Sequence, residues 1–255
     1  MPWNPDRYHQ FQSERFAPFT DLIALVKSQG KLQVIDLGCG SGELTQRLAD
    51  TLPHSQVIGL DASPQMLTRA QAQIRSNLRF KLGEIQTVTG EWDLIFSHAA
   101  IQWVEDHLSL IPRLFSLLAP NGQLVVQIPS NHHHPTHRLI IETASENPFF
   151  EALNGWKRLS PVLSIETYAE LLYTSGGHNL TIFEKVYPHL LKDADALLEW
   201  NLGTALVPYL ERLPNELHEL FINRYRSKLW DRWSSGPVFY GFRRILFSAT
   251  RSTSR

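Results

Sequence analysis

Val34-Ile35-Asp36-Leu37-Gly38-Cys39-Gly40-Ser41-Gly42-Glu43-Leu44-Thr45 is the stretch that decides the fold. Val34–Leu37 is an apolar, β-branched run suited to a strand buried on both faces, and a glycine cluster ends it. Leu44, Leu48 and Leu52 then recur at i, i+4 and i+8, the stripe of one helix face. Strand, glycine loop and helix in this order open a βαβ unit, and open α/β sheets bind ligands beyond the carboxyl ends of their strands. Glycines let the backbone come close to a ligand, and the helix start offers N–H groups with no partner of their own.

The spacing then separates ligand classes. A dinucleotide loop, G-x-G-x-x-G, would place its last glycine at position 43, where this chain has Glu43, an acid that repels a pyrophosphate. No lysine follows the loop, so a nucleoside-triphosphate loop is excluded too. Asp36 would also repel an anionic bridge, but it suits the ammonium of a methionine moiety. Asp61 ends the next strand, where a carboxylate can accept from both ribose hydroxyls.

Outward from the loop, strands are expected at Gln56–Leu60, Arg79–Leu82, Asp93–Phe96 and Leu124–Ile128, the last after a Pro120-Asn121-Gly122 turn. Ser63-Pro64 reads as a helix cap and first-turn proline, with Met66, Leu67, Ala70 and Ile74 on one helix face. A helix between Leu108 and Leu118 would need Pro112 in its first turn. Beyond Pro129 the texture changes to a stretch rich in His, Pro and aromatics; His132-His133-His134, whose side chains diverge, read as a solvated loop and no metal is expected. Leu180–Tyr187 and Phe242–Ala249 read as further strands, with mostly helical sequence from Asp193 to Trp233. The expected organisation is a sheet domain of residues 1–129, 165–190 and 237–255, with helical cap insertions at 130–164 and 191–236 covering its substrate site.

Composition narrows the setting. The net charge of −1 and the lack of a basic stripe argue against nucleic acid or an anionic membrane as a partner. A single cysteine, Cys39, precludes an intrachain disulfide, and neither a signal-peptide core nor a run of ~20 apolar residues is found, so a cytoplasmic protein is expected.

VIDLGCGSGELT (34–45) followed by GLDASPQML (59–67) resembles the first two cofactor motifs of the class I S-adenosylmethionine-dependent methyltransferases. More narrowly, Trp3-Asn4-Pro5 with Tyr8, Phe11 and Glu14-Arg15, AAIQWVEDH (99–107), Pro135-Thr136-His137, Arg224-Tyr225 and FRRILF (242–247) resemble the trans-aconitate 2-methyltransferase group. The resemblance implies an α/β, Rossmann-like, seven-stranded mixed sheet of order 3-2-1-4-5-7-6 with the last strand antiparallel. It implies S-adenosyl-L-methionine as cofactor: Asp36 near the methionine ammonium, the Gly38, Gly40 and Gly42 loop against its backbone, and Arg15 on its carboxylate. Asp61 would hold the ribose, Ala62, Met66, Glu84 and Ile85 would flank the adenine, and Ser97 would lie by the sulfonium. Glu84-Ile85 stands where the family usually has Asp-Ile.

The same resemblance places a small carboxylic acid against Tyr8, Gln12, Trp103, Arg224, Tyr240 and Arg244. A carboxylate is already ionised at neutral pH and needs no base; it needs orienting donors, and Trp103 would supply an indole N–H while Arg244 clamps a second carboxylate. Arg243 and Arg244, being consecutive on a strand, face opposite ways. His98 would serve as a base only if the acceptor were a hydroxyl or another atom of a different metabolite. The group commonly has arginine where this chain has Val207, which would favour a mono- or dicarboxylate. A non-catalytic S-adenosylmethionine-binding module is the reading from a different class, and the oligomeric state is not legible.

Overall fold

In the computed structural model, residues 13–27 and 30–253 are described. Strands β1 (Gln33–Leu37), β2 (Gln56–Asp61), β3 (Leu78–Leu82), β4 (Trp92–His98), β5 (Leu118–Pro129), β6 (Gly177–Leu191) and β7 (Val238–Arg251) form one sheet of order β3-β2-β1-β4-β5-β7-β6. The first five neighbours pair in parallel and β7 runs antiparallel to β5. This is the mixed, doubly wound sheet expected from the motifs.

Helices α1 (Ser13–Ile23), α2 (Glu43–Thr51), α3 (Pro64–Ala70), α4 (His107–Ser116), α5 (Pro135–Ala144), α6 (Phe149–Ala152), α7 (Ile165–Thr174), α8 (Ala194–Leu202), α9 (Val207–Leu210) and α10 (Asn215–Arg232) complete the described elements. Ser63 caps α3 as expected, its hydroxyl accepting from the Met66 N–H. The helix stops at Ala70, however, and a short 3₁₀ turn leaves Ile74 48% exposed, off the face it was expected to share. Asp106 caps α4 through the Ser109 N–H, so the helix begins earlier than expected and Pro112 lies inside it. Its missing N–H would have met the carbonyl of Leu108, on an exposed position where water can serve instead. The Pro120–Gly122 turn is looped out within β5: Trp92 pairs with Leu118 and Leu94 with Gln123, with Asn121 in the left-handed region.

The described residues form two compact units. The larger holds residues 16–27, 30–129, 161–185 and 243–253, and its core joins Ile35, Ile95, Leu124, Val126, Ile245 and Phe247 to α4 and α7. The smaller holds 13–15, 130–160 and 186–242, with its own core around Phe149, Leu197, Tyr209, Phe221 and Tyr240. Strands β6 and β7 each start in one unit and end in the other.

Alternation along the strands sends the remaining residues of the larger unit to the opposite sheet face. Register sets Asp36, Phe96, Val125 and Ser248 in one row, His98, Gln127 and Leu246 in the next, and Pro129 with Arg244 beyond. Phe19 of α1 packs edge-on against Phe96 and His98 on this face. Gln123 fixes the end of the same segment, accepting from the Lys27 N–H and donating to the Leu25 carbonyl.

Candidate active site

The glycines after β1 have three different surroundings. Gly38, Gly40 and Gly42 all take positive φ, of 77°, 55° and 81°. A Cβ on Gly38 would lie 2.2 Å from the Ala100 Cβ, and one on Gly42 would lie 2.6 Å from the Phe80 ring, so these two are required by the protein's own packing. At Gly40 a Cβ would meet no atom of the described residues within 4 Å. The loop therefore presses on its neighbours at both ends and presents bare backbone at its centre, a cradle open to a ligand's approach.

Two carboxylates frame that cradle. Asp61 accepts the Gly40 N–H through Oδ2 and the Ser63 N–H through Oδ1, each at 2.8 Å, and so ties the loop to the start of α3. Each oxygen keeps a lone pair for a hydroxyl. Asp36 is only 4% exposed, and Thr45 Oγ1 donates to it at 2.6 Å. Burial, with a smaller contribution from the Asp61 charge, raises its pKa from 3.8 to about 7. A carboxylate held this way gains from a cation brought beside it. Cys39 between them is buried, and burial and the two aspartates push its thiol far up, so it is inert. Met66 is buried and Ile85 half-buried, whereas Ala62 and Glu84 are exposed.

At the end of β4, Ser97 is buried and its hydroxyl donates to the Leu37 carbonyl, joining β4 to β1. His98 follows on the opposite face, against Phe19. Ala99 then takes a φ of 53°, unusual for a residue with a side chain. Strain of that kind concentrates at functional sites. The chain turns there into a 3₁₀ segment, Ile101–Trp103, leaving Trp103 48% exposed. Beneath the turn His107 is buried, its Nε2 at 2.8 Å from the Ile101 carbonyl and its Nδ1 at 2.5 Å from the Tyr168 hydroxyl. A carbonyl only accepts, so the proton sits on Nε2, and Tyr168 donates to Nδ1 while accepting the Leu163 N–H. Burial lowers the His107 pKa, which favours this neutral form.

The two consecutive arginines of β7 part company. Arg243 is exposed and pairs with Glu184 of β6. Arg244 is 5% exposed, and its Nη1 donates to Gln127 Oε1 at 3.3 Å. Gln127 was not foreseen; the one hint was a lone amide in the apolar run Leu124–Ile128.

In the smaller unit, Tyr240 is fully buried and its hydroxyl accepts from Asn131 Nδ2 at 3.0 Å. Arg224 donates to Glu146 and to the Asn147 carbonyl, a partly exposed link that packs α10 against the α5–α6 connection. Arg224, which the resemblance places at the substrate, is engaged in this packing. The solvated-loop reading holds for exposed His133 but not for His134, which caps α5, accepting the Thr136 N–H, and stacks on Trp233. Tyr8 and Gln12 lie outside the described residues, and of Arg15 only the helical backbone is described.

A methyltransferase-domain family profile matches residues 28–185. A trans-aconitate 2-methyltransferase from Deinococcus radiodurans is 48% identical over 98% of this chain and 99% of its own. The chain belongs to the trans-aconitate 2-methyltransferase family. A second member, from Variovorax paradoxus, is 38% identical over 90% of this chain and 89% of its own. Among solved structures, the YcgJ protein from Bacillus subtilis shares the fold, with a TM-score of 0.59 at 14% identity over 93% of this chain and 99% of that one. Among the described residues no helix is long and apolar enough to cross a membrane.

Proposed function

We propose that the protein esterifies trans-aconitate, or a closely related di- or tricarboxylate, with S-adenosyl-L-methionine as methyl donor. The observation that carries this is the 48% identity, over nearly the full chain, to a trans-aconitate 2-methyltransferase. The residues present fit the cofactor: a buried carboxylate suited to a cation, a backbone cradle open at Gly40, and Asp61 with lone pairs to spare.

When bound, the cofactor supplies a methyl group on a sulfonium, which a carboxylate oxygen takes by in-line displacement. In this reading Asp36 holds the ammonium, Asp61 the ribose hydroxyls and Arg15 the methionine carboxylate. Gly38, Gly40 and Gly42 lie against its backbone. Ala62, Met66, Glu84 and Ile85 flank the adenine, and Ser97 fixes the floor near the sulfonium. Trp103 orients the reacting carboxylate with a neutral donor, and Arg244 neutralises a carboxylate with a planar one. Family resemblance assigns Tyr8, Gln12 and Tyr240 to the same acid, with the expected cap segments, 130–164 and 191–236, serving the substrate side. No residue has to remove a proton, so His98 lines the site without serving as a base. The setting we propose is cytoplasmic, with small molecules as the only required partners.

The test uses methyl-labelled S-adenosylmethionine with a panel of mono-, di- and tricarboxylates, reading base-labile label as methyl ester. Ester on trans-aconitate or a near relative, lost in Trp103→Ala with cofactor binding intact, is expected. Cofactor binding without ester on any acid would overturn the reading.

A further inference from the structure

Gln127 is fully buried among apolar neighbours of β5. Arg244 has donors only, so it fixes the amide: Oε1 faces the guanidinium at 3.3 Å and the NH₂ points away from it. That Nε2 is buried and meets no acceptor among the described residues. A buried donor left unmet carries a desolvation cost that a leucine or methionine at this position would avoid. The amide also stands in the row of His98, next to the row of Asp36, with Arg244 two residues further along the same face.

A neutral N–H donor beside a guanidinium matches an acceptor that carries negative charge and two oxygens. We propose that Gln127 and Arg244 together bind a carboxylate, with the Gln127 amide as the second donor. This rests on the methyltransferase reading above, which brings two such groups to the site: the methionine carboxylate of the cofactor and a carboxylate of the acceptor acid. Arg244 supplies the charge, and Gln127 both orients the guanidinium and grips the ligand.

The test is made on the whole protein with Gln127→Met, which keeps the volume, and Gln127→Glu, which sets a rival carboxylate beside Arg244. Calorimetry gives Kd for S-adenosylhomocysteine and for 5′-methylthioadenosine, which lacks the amino-acid part, and kinetics gives KM for trans-aconitate. Losing a hydrogen bond to a charged group is expected to weaken one arm by about 10- to 100-fold. Weaker S-adenosylhomocysteine binding with 5′-methylthioadenosine unchanged assigns the cofactor's carboxylate. A raised KM with cofactor affinity unchanged assigns the acceptor's. Folded variants within twofold of wild type in both arms would overturn the proposal. Should neither variant fold, the side-chain ¹⁵N–H₂ resonance of Gln127 in wild-type protein decides: it shifts on saturation with one of the two ligands, or the proposal fails. A wild-type protein that esterifies no acid would sink the functional reading while leaving the cofactor arm to stand or fall by its own titration.

Discussion

A carboxylate buried like Asp36 resists ionisation until about pH 7 instead of 3.8, which makes the ligand-free protein less stable as pH rises through that interval. Its native pKa lies above the unfolded value, so the contribution is present at low pH and lost towards pH 7. Asp36→Asn should therefore raise the melting temperature of the ligand-free protein at pH 7.5 while weakening S-adenosylmethionine binding at least tenfold. In the wild type, affinity should fall about tenfold per pH unit below 7, since the cation needs the ionised form; a flat binding profile from pH 5 to 8 would contradict this role. The neighbouring glycines separate packing from binding. Gly38→Ala collides with Ala100 in addition to its backbone strain and should lose upwards of ~2 kcal/mol in urea unfolding. Gly40→Ala carries only the backbone cost of ~1 kcal/mol and should fold, yet lose most of its cofactor affinity.

The turn Ile101–Trp103 is held from below by His107 and Tyr168, and from the side by Ala100 against Gly38. Tyr168→Phe removes both hydroxyl bonds, to His107 Nδ1 and from the Leu163 N–H, and should cost about 1–3 kcal/mol, while His107→Ala also strands the Ile101 carbonyl and should cost about 2–4 kcal/mol. If the clamp sets the position of Trp103, the folded variants should lose more in kcat than in cofactor Kd. Equal stability in both variants would show the clamp to be idle. This element also shows what the chain discloses by itself. The loop 36–42 was legible because spacing alone separates its ligand classes, and the strand order followed from the family it resembles. His107, Gln127 and the His134 cap were not legible, because each acquires its partner across strands or at a helix start that periodicity locates only to within a turn. Pro112 misled for the same reason: the apolar stripe marked α4, but the cap at Asp106 set where it starts.

Across the whole molecule, acid acts on the buried histidines and on Asp36 with opposite signs. In the smaller unit burial lowers the pKa of His134 and of His137 to about 4, helped by positive neighbours, so between pH 6.5 and 4 the unfolded chain takes up two protons that the native one refuses. In the larger unit Asp36 holds a proton through much of the same range and offsets one of them. Buried His107, whose pKa is also lowered, adds to the histidines' side, so the net expectation is a loss of at least roughly 1 kcal/mol per pH unit on acidification from 6.5 towards 4, and Asp36→Asn should steepen that slope in urea titrations. A stability that rises over this interval would refute the assignment. The antiparallel pairing of β5 with β7 bears on how the chain is made. On the ribosome β5 emerges with residues 130–243 still to be synthesised before its partner edge arrives, a wait on the order of ten seconds at ordinary elongation rates. Throughout that time a strand whose Leu124–Ile128 run is mostly apolar has an open edge. Nascent chains stalled before β7 has left the ribosome should thus crosslink to chaperones more strongly than chains stalled after it has emerged, and β7 acts as the latch that closes the edge of β5.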